Sequence, residues 1–375
     1  MAPRCATWRS VVLALIAAGA VVACERGNGP VGLGERDALT QQIVNMGFRP
    51  DMIVEHENYF VVEGDILIQK ADLLRRMGGA GRTTGEPGVP PIQPQYVTNI
   101  QVSTSKISYI YVNIDATVNS AWATATRSAI SEWNAISSTA IRFVEMAPAD
   151  LVVSTGGEIL YDPIAQSSFP LAGGAPGPTI TIDASHAEWG STSQKKFVMV
   201  HEFGHNTGFR HTNLVSLGEG LLPWGANLIS GTPPTDAVSV MNGNTGGTLW
   251  SGFSYYDQVA ARSLYPAPPA PYVASVSTSP SPARQYLPFT VTVNGSGFDT
   301  VDPQVLYTRQ GCDPRWGSCT GVYSAPQGIF AVKTPTQLVF NMAFSITGTY
   351  DIQVRSGPKG GPSQPPRSFT VLSYY

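Results

Sequence analysis

His201-Glu202-Phe203-Gly204-His205-Asn206-Thr207-Gly208-Phe209-Arg210-His211 follows the pattern H-E-x-x-H-x-x-G-x-x-H without a break. On a helix, residues four apart lie one turn above the other on one face, so His201 and His205 form a pair. Two neutral imidazoles at that spacing can bind one metal ion at about 2.0–2.1 Å. Glu202 follows the first ligand, where its carboxylate reaches a metal-bound water rather than the metal. Gly208 lets the backbone leave the helix through a conformation costly for other residues. The chain then turns back and brings in His211 as third ligand. Three protein ligands leave one position open, which marks a catalytic zinc rather than a structural one. The chain has five histidines in 375 residues, and three of them fall in this stretch. A chance H-E-x-x-H on an ordinary helix is therefore the weaker reading.

The long pattern followed by a methionine turn is the signature of metzincin metallopeptidases. Ser239-Val240-Met241-Asn242 lies downstream and resembles that turn. The chain resembles the dual-action HEIGH metallopeptidases of the myxobacterial type, with astacins as relatives. The resemblance implies an α+β catalytic domain made of a twisted mixed sheet and a zinc helix, with Zn2+ as cofactor and a protein or peptide as substrate. In that chemistry Glu202 takes the water proton and delivers it to the leaving amine, and Met241 is an apolar floor beneath the metal without coordinating it. Astacins and serralysins carry a Tyr two residues after that Met. Here the position is Gly243, which leaves Tyr255 or Tyr256 to approach from elsewhere. Two other classes stay open: a catalytically silent surface adhesin on the same scaffold, and a lipid-anchored binding protein with a structural zinc. The intact Glu202 argues against the first and the open fourth position against the second.

A net charge of −3 and a pI near 6 give no polyanion-binding surface, so nucleic acid is not an expected partner. Charged residues make up only 13% of the chain, which suits an exported, β-rich protein better than a helical cytosolic one. Arg4 and Arg9 precede an apolar run from Val11 to Ala23, short for a membrane span and suited to a signal peptide. The run ends in Val21-Val22-Ala23-Cys24, which resembles a bacterial lipobox. That makes Cys24 a lipid carrier and residues 1–24 a lipoprotein signal. Two or three acyl chains there would anchor the protein to a membrane, since one is marginal. Glu25 differs from the Asp of inner-membrane retention, which points to the outer membrane or cell surface, with shedding as a further outcome. Cys5 leaves with the signal, and Cys312 and Cys319 remain for a local disulfide in an oxidising compartment.

Residues 25–95 read as a tether, a small pro-like segment and a Gly/Pro-rich linker. Within them Leu39–Val44 looks helical, Tyr59–Val62 and Ile66–Ile68 look like strands joined by a turn, and Ala71–Arg76 like a short helix. The catalytic domain spans 96–265. Ile107–Ile114, Ile141–Glu145, Leu151–Ser154 and Thr179–Asp183 read as strands. Ser120 opens a helix with Trp122, Ala125, Ala129 and Trp133 at core spacing, and Ser191–Ser193 offer caps for the zinc helix. Leu151–Ser154 is a candidate for the substrate-pairing edge strand of metzincins, with an ordinary sheet strand as the equal alternative. Residues 212–238 read as loop beneath the site, and His186 as a hydrogen-bonded surface residue. Residues 266–271 form a Pro-rich linker. The alternating strands after it, with Gly295-Ser296-Gly297-Phe298, resemble an immunoglobulin-like β-sandwich of the IPT/TIG kind over 272–375, read as a spacer or binding module.

One element of the pro-like segment carries a second metal hypothesis. Val62-Glu63-Gly64-Asp65 resembles the F-x-G-D element of astacin pro-segments, whose Asp occupies the position that water needs. Asp65 is thus a candidate inhibitory zinc ligand. Glu-Gly-Asp is equally ordinary turn chemistry.

Overall fold

The computed structural model describes residues 33–45, 50, 53–62, 66–70, 73–74, 95–156, 163–217, 219, 225–233, 236–313, 319–324, 330–357 and 359–374. Cys24, the apolar run Val11–Ala23, Asp65 and most of the Gly/Pro linker lie outside the described residues. The chain divides into the units Met1–Ala38 and Leu39–Tyr375. Of the first, only the opening turns of helix α1 (Leu33–Asn45) are described, so that helix begins inside the stretch expected to be tether. No helix among the described residues is long and apolar enough to cross a membrane.

One mixed sheet organises the catalytic part. Its strands are β1 (Ile53–Glu55), β2 (Tyr59–Val62), β3 (Ile66–Gln69), β5 (Ile110–Ile114), β6 (Phe143–Glu145), β7 (Leu151–Gly156), β8 (Ala165–Ser168) and β9 (Thr179–Asp183). They lie in the order β1-β2-β3-β8-β9-β7-β5-β6. Strands β5, β6, β7 and β9 run parallel, β8 is antiparallel to β9, and β3 joins β8 in parallel through Ile66–Ser167 and Leu67–Ser168. The sheet therefore runs across the boundary read at residue 96.

Two readings are corrected here. Leu151–Ser154 is no edge strand: β7 is paired on both sides, by β5 and by β9. The antiparallel strand beside the zinc helix is β8, which the sequence pattern misses because Ala165-Gln166-Ser167-Ser168 has no apolar alternation, although all four residues are buried. Residues 104–107 form a short helix, α2 (Thr104–Ile107), and the strand starts only at Ile110.

Parallel strands need a crossover, and helix α3 (Ser120–Ala135) supplies it between β5 and β6. Asn119 rather than Ser120 caps it: the Asn119 side chain accepts from Trp122 N at 3.0 Å. Trp122, Ala125, Ala129 and Trp133 are buried on one face, as their spacing predicts. Helix α4 (Thr192–Asn206) packs across α3 and over β8 and β9. Ser191 and Gln194 form a reciprocal capping box at its start. Strand β4 (Tyr96–Val97) pairs with β10 (Asn227–Leu228), helix α5 spans Leu214–Leu217, and helix α6 (Tyr255–Leu264) closes the domain.

Beyond residue 271 the regular elements among the described residues are all strands. Strands β11 (Tyr272–Ser279), β13 (Phe289–Ser296), β17 (Gln337–Met342) and β16 (Phe330–Lys333) form one sheet. Strands β12 (Ala283–Arg284), β19 (Arg367–Leu372), β18 (Gly348–Ser356), β14 (Pro303–Arg309) and β15 (Thr320–Ser324) form the other. The alternate residues Phe289, Val291, Val293 and Tyr350, Ile352, Val354 fill the space between the sheets. Cys312 and Cys319 are joined in a disulfide.

Candidate metal centre

The local folding of α4 brings the site together. His201 and His205 lie one turn apart, with ring centroids 4.6 Å from each other. The helix ends at Thr207, and Gly208 takes φ +98°. A side chain there would be strained and would also press on Thr98, since an added Cβ would lie 3.0 Å from Thr98 Oγ1. The returning chain is then held by β4: Thr98 N donates to Gly208 O and Arg210 N to Tyr96 O, each at 2.9 Å. That pairing delivers His211 to the other two histidines.

Each imidazole is fixed through its Nδ1. His201 Nδ1 lies 2.8 Å from Val240 O, His205 Nδ1 lies 2.8 Å from Phe209 O, and His211 Nδ1 lies 2.5 Å from Glu219 Oε1. Carbonyl and carboxylate oxygens only accept, so every Nδ1 carries the proton and every Nε2 presents a lone pair. The three Nε2 atoms converge, 3.0 Å apart for His201–His205 and 3.2 Å for His201–His211 and His205–His211. Three lone pairs facing one another in a buried place require a cation between them. Ligands at about 2.0–2.1 Å in tetrahedral array stand roughly 3.3–3.4 Å apart, so the spacing fits zinc. Among the described residues, these three side chains form the group that could hold one ion.

Glu202 is buried beside the first ligand. Met241 is buried against Gly204 of the zinc helix, and its backbone N donates to Ser239 Oγ at 3.0 Å. Gly243 leaves no room for the tyrosine of the related families: an added Cβ would lie 2.7 Å from Leu217 Cδ1 and 2.9 Å from His211 Nδ1. Tyr255, raised as a substitute, is 69% exposed at the start of α6 with its ring against Tyr256. His186 lies apart, bonded to Ser185 and near Asp183.

Two acidic residues that the sequence reading passed over complete the support. Glu219 accepts from His211 and lies 3.5 Å from the Arg210 guanidinium, which is itself fully buried. Asp257, in the first turn of α6, accepts from Val240 N, Ser254 N, Ser239 Oγ and Gln95 Nε2. Burial pushes its carboxyl above the usual range, and those hydrogen bonds oppose the shift. Through Val240 it fixes the carbonyl that orients His201. The one signal for Glu219 in the sequence is an acid flanked by Gly218 and Gly220 soon after the third histidine.

A capped helix offering two imidazoles, a third returned by a glycine turn and a methionine packed beneath define a zinc metallopeptidase. The chain belongs to the dual-action HEIGH metallo-peptidase family, whose pattern matches residues 62–265, more than half its length. Its motif reads His-Glu-Phe-Gly-His, with Phe203 where the family's name has isoleucine. No curated protein matches the chain. Among solved structures it is similar to myroilysin, at 15% identity over 42% of this chain and 80% of that one, TM-score 0.30. It is similar to high choriolytic enzyme 1, a hatching enzyme zinc-protease of the medaka fish Oryzias latipes, at 13% identity over 49% and 98%, TM-score 0.28. It is also similar to the Lin-41 filamin domain, at 16% identity over 28% of this chain and 97% of that one, TM-score 0.19.

Proposed function

We propose that this zinc-dependent peptidase is an endopeptidase of extracellular proteins, with Glu202 as its general base and Cys24 as its membrane anchor. The observation that carries the reading is the convergence of three tautomer-fixed imidazoles on one point, with a buried carboxylate at the next position of the helix. His201, His205 and His211 would hold the zinc, whose Lewis acidity would lower the pKa of a bound water to about 7 and polarise a peptide carbonyl. Glu202 takes the proton of the attacking water at its carboxylate and returns it to the leaving amine nitrogen. Val240, Phe209 and Glu219 keep the three rings in the tautomer that presents Nε2. Met241 fills the floor under the helix.

Export is supported by the Arg4–Cys24 leader pattern and by the disulfide between Cys312 and Cys319, a bond suited to an oxidising compartment. The deciding experiment is casein hydrolysis with and without a chelator, beside Glu202→Gln. Chelator-sensitive cleavage that Glu202→Gln abolishes supports the reading, and cleavage by that variant at the native rate overturns the role of Glu202. Mass spectrometry of the mature N-terminus decides the anchor, because an unmodified terminus beyond residue 24 removes it.

A further inference from the structure

The sandwich touches the catalytic part at a small, closely packed junction. Tyr109 donates to Asp299 Oδ2 at 2.5 Å, and Arg142 bonds Asp302 Oδ2 at 3.1 Å while stacking over the Tyr109 ring. Gly357 turns at φ +66° beside this pair, and a Cβ on it would lie 3.0 Å from Tyr109 Oη. A shallow cleft between the two parts is lined by Tyr109, Arg142, Asp299 and Lys359.

Lys359 reaches from the sandwich across this junction. Its ammonium donates to Trp133 O at 3.1 Å and Ile141 O at 2.5 Å. Trp133 lies in the last turn of α3, where its carbonyl otherwise accepts only a long bond from Ile136 N at 3.4 Å and where a cation is favoured. The same residue points its indole the other way. Trp133 Nε1 donates to Val200 O at 2.9 Å, one residue before His201, and its ring is in contact range of Gly204, 3.5 Å from where a Cβ would sit. A lysine of the C-terminal sandwich is thus joined through one tryptophan to the zinc helix at the residue before its first ligand.

We propose that Lys359 is a positioning residue for peptide hydrolysis: by binding the carbonyls of Trp133 and Ile141 it fixes the end of α3, and the Trp133 indole thereby fixes the register of α4 at His201 and His205. The C-terminal sandwich is then part of the catalytic scaffold, beyond the spacer or binding module that its sequence suggests. The inference rests on the peptidase reading for its kinetic test and on geometry alone for its exchange test.

Lys359→Met keeps the apolar stem and removes the donors, and Lys359→Gln keeps one amide donor. Asp302→Asn loosens the same junction without touching the α3 carbonyls. In the full-length protein, Lys359→Met is expected to lower kcat about tenfold with KM within twofold, because small misplacements far from the chemistry cost up to about a hundredfold. Lys359→Gln should fall between, and Asp302→Asn should lower Tm while leaving kcat unchanged. Amide hydrogen exchange of residues 200–205 should quicken in Lys359→Met and not in Asp302→Asn. Unchanged kcat and exchange in Lys359→Met overturn the proposal. So does an equal loss of kcat in Asp302→Asn, which would mean general docking rather than positioning. If Lys359→Met does not fold, the same comparisons on Lys359→Gln decide. A wild-type protein without peptidase activity would count against the function, and the exchange result would still decide for or against Lys359.

Discussion

Met241 lies so close to Gly204 that a Cβ on residue 204 would fall 2.3 Å from the methionine sulfur and 2.9 Å from its terminal carbon. The helix that carries the ligands can approach the methionine turn only because the residue before His205 has no side chain. Gly204→Ala should therefore destabilise the protein by about 1–3 kcal/mol, the usual cost of overpacking. In a Met241→Ala background the obstruction is gone, and the same change should be neutral or slightly stabilising, since Ala is the better helix former by up to about 1 kcal/mol. Urea unfolding of the four proteins in this cycle measures the coupling, and additive effects would mean that the two residues do not constrain each other.

Glu202→Gln should bind zinc and unfold at the wild-type temperature while kcat falls about 10²- to 10⁴-fold, the range for lost acid–base help. Steady-state kinetics on a quenched peptide, paired with metal analysis of the same sample, checks both halves.

Glu219→Gln should weaken zinc binding about 10- to 100-fold while all three ligands remain, because the carboxylate sets the tautomer and basicity of His211. Glu219→Ala should do more harm than the amide, since it removes the carboxylate that faces the fully buried Arg210 guanidinium. Competition against a chromophoric chelator gives the affinities. The His201→Ala/His205→Ala double variant should hold no stoichiometric zinc at all.

Strand β3 covers the outer edge of β8, and Val62 and Ile66 share a small apolar core with Phe169, whose ring meets His205 edge-on at 5.5 Å. Asp65 adjoins Ile66 in the chain. If its carboxylate competes for the metal position, Asp65→Ala should be more active than the uncleaved wild type, and cutting wild type in the linker near Arg82 should raise it to match. Equal activity in all three preparations would leave residues 38–77 as a fixed part of the enzyme.

The metal site was legible because its ligands sit within eleven positions and their helix carries its own start signal at Ser191 and Gln194. What escaped reading acts across distance. Asp257 reaches Val240 over 17 positions, Glu219 reaches back to His211 over eight that hold the short helix α5 where loop was expected, and Lys359 meets Trp133 across 226. Strand β8 was hidden for a different reason. Its Gln166, Ser167 and Ser168 are buried, with Ser168 O bound by Asn206 Nδ2, so no apolar period announces it. The edge role assigned to Leu151–Ser154 failed because order along the chain does not give order across a sheet.

The imidazoles converge from two directions, His201 and His205 from the helix and His211 from the returning loop, and their outer nitrogens reach the loops at Val240 and Glu219. A cation at that point is a cross-link between segments far apart in sequence, and its binding energy is also folding energy. Removing it leaves lone pairs facing one another in a dry space. The segments around Glu219 and Val240 that hold the outer nitrogens should then be the first to open. Loss of the ion should therefore leave the fold intact elsewhere while these segments become open to proteolysis, which limited digestion with and without a chelator would show.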